Sequence, residues 1–208
     1  MIKKIYCIRH GYALHNKLFF DIGRRAYSEY NDTPLLQKGY EQAKTLNKNW
    51  AKKTNIDLVV VSPCLRTLET AKFVFRDIKV PMIAKDFLIE FPLGGEEICN
   101  KRKDISDLEY MYPNVFFESK DDKLKWSEKD ETINELEIRI KKMIKWIGER
   151  PEKNIAIISH SSFIGQFKDK KIGDELNELR HCFPYKIKMY YNENGDFLNI
   201  NELNNRKL

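Results

Sequence analysis

Apolar residues follow two rhythms along this chain. Short runs rich in β-branched residues at 2–9, 57–61, 80–84 and 154–159 have the length and composition of strands. Between them, Leu36, Tyr40, Ala43, Leu46 and Trp50 recur every three or four positions, which predicts an amphipathic helix lying on a sheet. A longer helix is predicted over 132–148, where Ile133, Leu136, Ile140, Met143, Ile144 and Ile147 form the stripe. Thr132 and Glu135 have the spacing of a capping box at its start, and Gly148 and Pro151 stop it. Strands alternating with helices predict an α/β fold with a mostly parallel central sheet. Runs at 186–191 and 197–202, flanking an Asn- and Gly-containing turn at 192–196, predict a hairpin at the sheet edge.

Ser62-Pro63 is expected to start a further helix, with serine as cap and proline in the first turn, so that Arg66 falls beside the end of the preceding strand. Between the third strand and the 132–148 helix, periodicity fades. That length of connection predicts an irregular lid or specificity insert at about 85–130. No internal repeat or low-complexity segment interrupts the chain, and the final residues read as a polar tail. The expectation is one domain spanning 1–208.

Composition narrows the picture. A hydrophobic content of 42% suits a folded protein, and no segment approaches the roughly 18 consecutive apolar residues of a membrane span. The first strand starts almost at Met1, which leaves no room for a secretory leader, so a cytoplasmic location and no membrane association are expected. Cys7, Cys64, Cys99 and Cys182 form no C-x-x-C pair and read as reduced structural thiols. The net charge of +6 is spread among acidic residues without a nucleic-acid-binding motif, so no nucleic-acid partner is expected. Oligomeric state leaves no mark in the sequence.

His10 and His160 each close an apolar run, at Arg9-His10-Gly11 and Ser159-His160-Ser161. Strand ends border the ligand crevice of open α/β sheets, so the two imidazoles are placed to face one another if their strands are neighbours. With Arg9, Asn16 and Arg66 they make a cationic set suited to a phosphoryl group, in which a neutral imidazole acts as nucleophile on phosphorus. No ligand spacing among His10, His15, His160 and His181 supports a metal site, and no metal is expected.

These motifs resemble those of the histidine phosphatase superfamily, which includes cofactor-dependent phosphoglycerate mutases and many phosphatases. Arg9-His10-Gly11 with Asn16 looks like its signature. Asp32-Thr33-Pro34-Leu35 followed by Gly39, Gln42 and Ala43 is similar to its first-helix pattern, and Ser62-Pro63 with Arg66, Thr67, Thr70 and Ala71 to its second arginine motif. Leu88-Ile89-Glu90 resembles the segment carrying the proton donor, and Ser159-His160 the second histidine motif. Cys99-Asn100-Lys101-Arg102, Tyr112-Pro113 and Arg150-Pro151-Glu152-Lys153 add a closer likeness to a plant and fungal phosphoglycerate mutase-like branch. The resemblance implies a three-layer sandwich with helices on both faces of the sheet. It implies His10 as nucleophile, Arg9, Arg66, His160 and Asn16 as phosphate ligands with the backbone N–H of Ser161, and Glu90 as acid and then base. His15, Lys101 and Arg102 are candidates for substrate specificity. No cofactor is expected, and the partner is a small phosphorylated substrate.

The chain departs from the family pattern in places. Ser161 replaces the usual glycine after the second histidine, and Leu36 replaces a helix-capping threonine, so that the cap is lost or shifts to Thr33. Tyr12 stands where a mutase has glutamate. The expected activity is hydrolysis of small phosphomonoesters through a phosphohistidine. The alternatives are a phosphoglycerate mutase, which returns the phosphoryl group to substrate, and a noncatalytic phosphate-binding protein.

Overall fold

The computed structural model describes residues 1–119, 121–169 and 178–202. Among these, seven strands form one sheet: β1 (Ile2–Arg9), β2 (Leu58–Val61), β3 (Met82–Ala84), β4 (Phe116–Phe117), β5 (Asn154–Ser159), β6 (Pro184–Tyr191) and β7 (Phe197–Glu202), in the order β4-β3-β2-β5-β1-β6-β7. The first five in that order are parallel, and the β6–β7 hairpin runs antiparallel along the edge of β1. Helices α1 (Leu14–Ile22), α2 (Arg25–Ser28), α3 (Gln37–Asn49), α4 (Leu65–Val74), α5 (Ile105–Met111), α6 (Ile133–Gly148) and α7 (Ser161–Asp169) complete the fold.

Alternation along the central strands sorts their side chains to two faces. Tyr6 and Ile8, Val59 and Val61, and Ala156 and Ile158 join a core built with α3, α4 and α5. Ile5 and Cys7, Leu58 and Val60, and Ile155 and Ile157 join another, built with α6 and α7. Each central strand is therefore buried on both sides. That explains why these runs are continuously apolar, and it makes the architecture a three-layer sandwich with helices on both faces.

The expected elements are present with shifted ends. The third strand begins at Met82 because Pro81 has no N–H for the ladder; its carbonyl accepts from Val59 at 2.9 Å. At α6 the capping box forms as the spacing predicts, with Thr132 Oγ1 accepting from Glu135 N–H and the Glu135 carboxylate accepting from Thr132 N–H. The helix expected at Ser62-Pro63 instead begins at Leu65. Its first N–H is satisfied from far along the chain, by buried Asp32, whose Oδ1 accepts from Leu65 N–H at 2.8 Å. The α3 cap is likewise not rescued by Thr33: Leu36 stands at the cap without a side-chain bond, and Thr33 Oγ1 lies 2.6 Å from His15 Nδ1. Within 85–130 the chain forms α5 and the edge strand β4. The polar tail expected after the hairpin lies outside the described residues. No helix among the described residues is long and apolar enough to cross a membrane.

Candidate active site

Three parallel neighbours end side by side, because β5 lies between β1 and β2. Arg9 pairs with Ser159, and Ile158 with both Ile8 and Val61, so the residues that follow the strands emerge at one edge. The ladder runs on past the strand ends: His10 N–H donates to Ser159 O at 3.0 Å and Ser62 N–H to Ile158 O at 2.9 Å. The His10 and His160 rings lie 5.2 Å apart between centroids.

His10 is buried, and its Nδ1 lies 2.7 Å from the Gly11 carbonyl. A carbonyl only accepts, so Nδ1 carries the proton and Nε2 is left with its lone pair. Burial, with Arg66 next in weight, holds this imidazole well below the ordinary histidine range. It is therefore a free base at neutral pH. Gly11 is required by close packing: a Cβ there would lie 2.7 Å from the Gly39 carbonyl of α3.

His160 is fully buried behind Arg66. Its Nδ1 accepts from Arg66 Nε at 3.2 Å, and since guanidinium only donates, the proton sits on Nε2, 2.9 Å from Ser62 Oγ. Burial and then Arg66 also hold this ring well below its ordinary pKa. Arg66 donates further to Cys99 O at 2.8 Å and Asn100 Oδ1 at 3.0 Å, so residues of the 85–130 segment orient it. Arg9 donates through Nη1 to Glu178 Oε2 and Leu179 O, both at 2.8 Å, while its buried Nε has no partner among the described residues.

Glu90 reaches the N-terminus of α7. Its Oε1 accepts from Phe91 N–H at 2.8 Å and Phe163 N–H at 2.9 Å, and its Oε2 accepts from Ser162 N–H at 3.2 Å. These bonds favour the carboxylate, but burial outweighs them and the pKa is raised. Arg139 of α6 holds the backbone of this segment by donating to the carbonyls of Phe87, Ile89 and Glu90.

A cavity of about 440 Å³ is lined by Arg9, His10, Asn16, Arg66, Glu90 and Ser161. His15 also lines it and orients Asn16: Asn16 Nδ2 lies 3.1 Å from His15 Nε2, and Asn16 Oδ1 accepts from Ala13 N–H at 2.9 Å. Ser161 Oγ accepts from Leu179 N–H at 3.0 Å, a bond the family's glycine could not make. Lys101 and Arg102 do not line the cavity. Arg102 is buried in a forked pair with Asp86, at 2.7 and 3.1 Å, and donates to the carbonyls of Lys103, Asp121 and Asp122. The structure thus corrects the expectation that Arg102 meets substrate: its donors are committed to folding the 85–130 segment.

Several residues around the cavity were not singled out by the sequence. His181 Nδ1 donates to His10 O at 2.7 Å, and Cys182 N–H to Arg9 O at 2.9 Å, so the segment entering β6 clamps the backbone of the Arg9-His10 pair. Burial lowers the His181 pKa to about 4. Phe19, Arg24, Tyr27, Glu97 and Glu178 form the mouth. The aromatic cluster Phe19-Phe20 and the acidic residues beside the motifs were the available signals, but neither has a spacing tied to chemistry. Two larger cavities lie elsewhere, one between α6 and the β6–β7 hairpin and one between α4 and residues 111–115; neither is lined by a histidine among the described residues.

A parallel sheet whose strand ends bring His10 and Arg9 to one cavity with Arg66, while His160, expected to meet phosphate itself, stands behind Arg66 and does not line the cavity, defines an α/β protein with a cationic strand-end site. The sequence profile of the histidine phosphatase superfamily (branch 1) matches residues 5–186, and the chain belongs to that family. It is 34% identical over 196 residues to phosphoglycerate mutase-like protein 1 of Arabidopsis thaliana, covering 78% of this chain and 69% of the relative. Similar solved structures include the phosphoglycerate mutase of Bacillus anthracis, with TM-score 0.63 and 21% identity over 97% of this chain and 92% of that one. Another is a mycobacterial glucosyl-3-phosphoglycerate phosphatase, with TM-score 0.64 and 13% identity over 97% of each chain. At these identities the structural likenesses establish the fold.

Proposed function

We propose that this protein is a metal-independent phosphatase that hydrolyses small phosphomonoesters through a phosphohistidine at His10. The observation that carries the reading is the buried His10 ring, with its Nδ1 proton tied to Gly11 O and its Nε2 lone pair free, in the cavity that also holds Arg9 and Arg66. In the first step the Nε2 lone pair forms the N–P bond as the ester P–O bond breaks, and the electron pair leaves on the alkoxide oxygen. Arg9 and Arg66 stabilise the charge on the nonbridging oxygens, and the unpartnered Arg9 Nε is a donor available to them.

Glu90 supplies the proton to the leaving oxygen. Its Oε2 accepts only the longer bond, from Ser162, and is the oxygen placed to carry that proton. The raised pKa keeps more of it protonated than an ordinary glutamate would be. In the second step the Glu90 carboxylate removes a proton from water, the water oxygen bonds to phosphorus, and the N–P bond breaks to return neutral His10 and inorganic phosphate.

His160 takes part through Arg66: its Nδ1 accepts from Arg66 Nε and its Nε2–H lies against Ser62 Oγ, which together fix the guanidinium from behind. The reading is tested by incubating enzyme with a labelled phosphomonoester and quenching. Acid-labile label on His10, primer-free phosphate release and no release by His10→Ala are expected. Label on another residue, or turnover only as primer-dependent isomerisation, refutes it.

A further inference from the structure

The cavity extends beyond what a phosphoryl group needs, and its outer half has a distinct chemistry. At about 440 Å³ it falls in the roughly 300–1,000 Å³ range of small-molecule sites. Among the described residues, three arginines line it and no lysine. Arg24, at the mouth, is committed to Glu97 at 2.7 Å. Arg9 shares its Nη1 with Glu178, also at the mouth. Arg66 makes no ion pair among the described residues and is the cation most fully available to a phosphoryl group. Once a dianion occupies Arg9 and Arg66, Glu178 is left as a surplus negative charge beside the organic part of the substrate. Among the described residues lining the cavity, a carboxylate or second phosphate on that part finds repulsion from Glu178 and no cation without an acceptor of its own.

The wall facing that space carries two aromatic side chains. Phe19 of α1 and Tyr27 of α2 stack with ring centroids 5.4 Å apart and 17° between planes, and both line the cavity while remaining partly exposed. Tyr27 lies 6.0 Å from His15 between ring centroids, so this wall adjoins the Asn16 side of the phosphoryl site. Phe91 and Pro92, which follow Glu90, also line the cavity.

Resting on the phosphatase reading above, we infer that the substrate is a phosphomonoester whose organic part is uncharged and packs an apolar group against the Phe19–Tyr27 pair. Phosphoglycerates and bisphosphates are then poor substrates, and Glu178 is the residue that selects against them. The assignment places specificity on the α1–α2 segment and on Glu178, rather than on Lys101 and Arg102.

Three alkyl esters with similarly poor leaving groups test it: 2-phenylethyl phosphate, ethyl phosphate and 3-phosphoglycerate, each assayed for phosphate release with the full chain. The expected order of kcat/KM is phenylethyl over ethyl by about tenfold, the gain of one good aromatic contact, with 3-phosphoglycerate below ethyl. Phe19→Leu, which keeps an apolar side chain on α1 but removes the ring, lowers the phenylethyl-to-ethyl ratio, and Tyr27→Leu does the same. Glu178→Gln raises 3-phosphoglycerate relative to ethyl phosphate by about tenfold. A preference for 3-phosphoglycerate, or a phenylethyl-to-ethyl ratio unmoved in both leucine variants, overturns the substrate assignment while leaving the phosphatase reading intact. Release from none of the three esters overturns the phosphatase reading, and the assignment with it.

Discussion

Replacing Arg139 with methionine tests how Glu90 is held. Arg139 projects from α6 into a buried forked pair with Glu131, with Nε to Oε1 at 2.8 Å. The same guanidinium donates to the carbonyls of Phe87, Ile89 and Glu90 and lies over the Phe163 ring at 5.1 Å from its centroid. Methionine fills much of the volume but strands the Glu131 carboxylate, of which only 7% is exposed, and removes the donors from those carbonyls. Breaking a buried pair from one side costs about 3–5 kcal/mol, a large share of the roughly 5–15 kcal/mol that holds a domain folded. Urea unfolding followed by tryptophan fluorescence reads this loss. Adding Glu131→Gln removes the stranded charge and is expected to recover about 1–2 kcal/mol. In the folded variant Glu90 is less well placed, so turnover of alkyl phosphates should fall about tenfold or more while activated aryl phosphates, which leave without protonation, fall less. A stability loss under about 1 kcal/mol refutes the buried-pair argument. An equal slowing of both ester types refutes the link from Arg139 to the proton donor.

Glu90→Gln itself should slow alkyl esters by about 10²–10⁴-fold and aryl phosphates far less; equal slowing removes Glu90 from the acid role. The pH profile of kcat/KM follows from the two shifts: His10 is kept neutral by its lowered pKa, so the acid limb lies well below 6.5, and Glu90 must be protonated, so the alkaline limb lies above 4.5. An acid limb at or above 6.5 contradicts the burial argument for His10. Ser62→Ala leaves the His160 Nε2–H buried without a partner and should cost about 1–3 kcal/mol in urea unfolding; a neutral result shows that the pair at 2.9 Å is not needed. Gly11→Ala places a methyl group 2.7 Å from Gly39 O and should reduce kcat at least about tenfold with far-UV circular dichroism unchanged, whereas full activity shows that the loop can move off α3.

What could be read from the chain, and what could not, divides by range. The sheet was legible because strands buried on both faces have uninterrupted apolar runs, and α3 and α6 because one face of each meets the core. Two histidines at strand ends needed only the adjacency of β1 and β5. Interactions made by single side chains across long stretches have no such signature. Asp32 reaches forward to the first N–H of α4, a bond local reading assigned to Ser62, whose hydroxyl instead faces His160. The basic run at 101–103 has the composition of a solvated patch or a phosphate subsite, yet Arg102 is buried against Asp86. Arg150-Pro151-Glu152-Lys153 was noticed only as a likeness; the carbonyls of Arg150 and Glu152 accept from Lys3 Nζ, which is fully buried within β1. Glu178 was missed, and Asn100 and His181 were given no role at the site, for the same reason: their partners are defined by the fold and not by spacing.

Groups of the protein itself hold the two cavity arginines Arg9 and Arg66 in place. Cys99 O, Asn100 Oδ1 and His160 Nδ1 occupy the Arg66 guanidinium, while Glu178 and Leu179 O occupy Arg9 Nη1. These acceptors fix both side chains in place, so little conformational entropy remains to be lost when substrate arrives. They also compete with it. A neutral acceptor such as Cys99 O competes weakly with a dianion, whereas the Glu178 carboxylate competes strongly for the same donor. On the phosphatase reading proposed above, the two arginines therefore differ: Arg66, oriented by neutral groups, is available to phosphate, and Arg9 must be shared with or released by Glu178. Affinity for phosphate alone should then be modest, and contacts along the Phe19–Tyr27 wall must help displace Glu178, which couples recognition of the organic part to completion of the phosphoryl site.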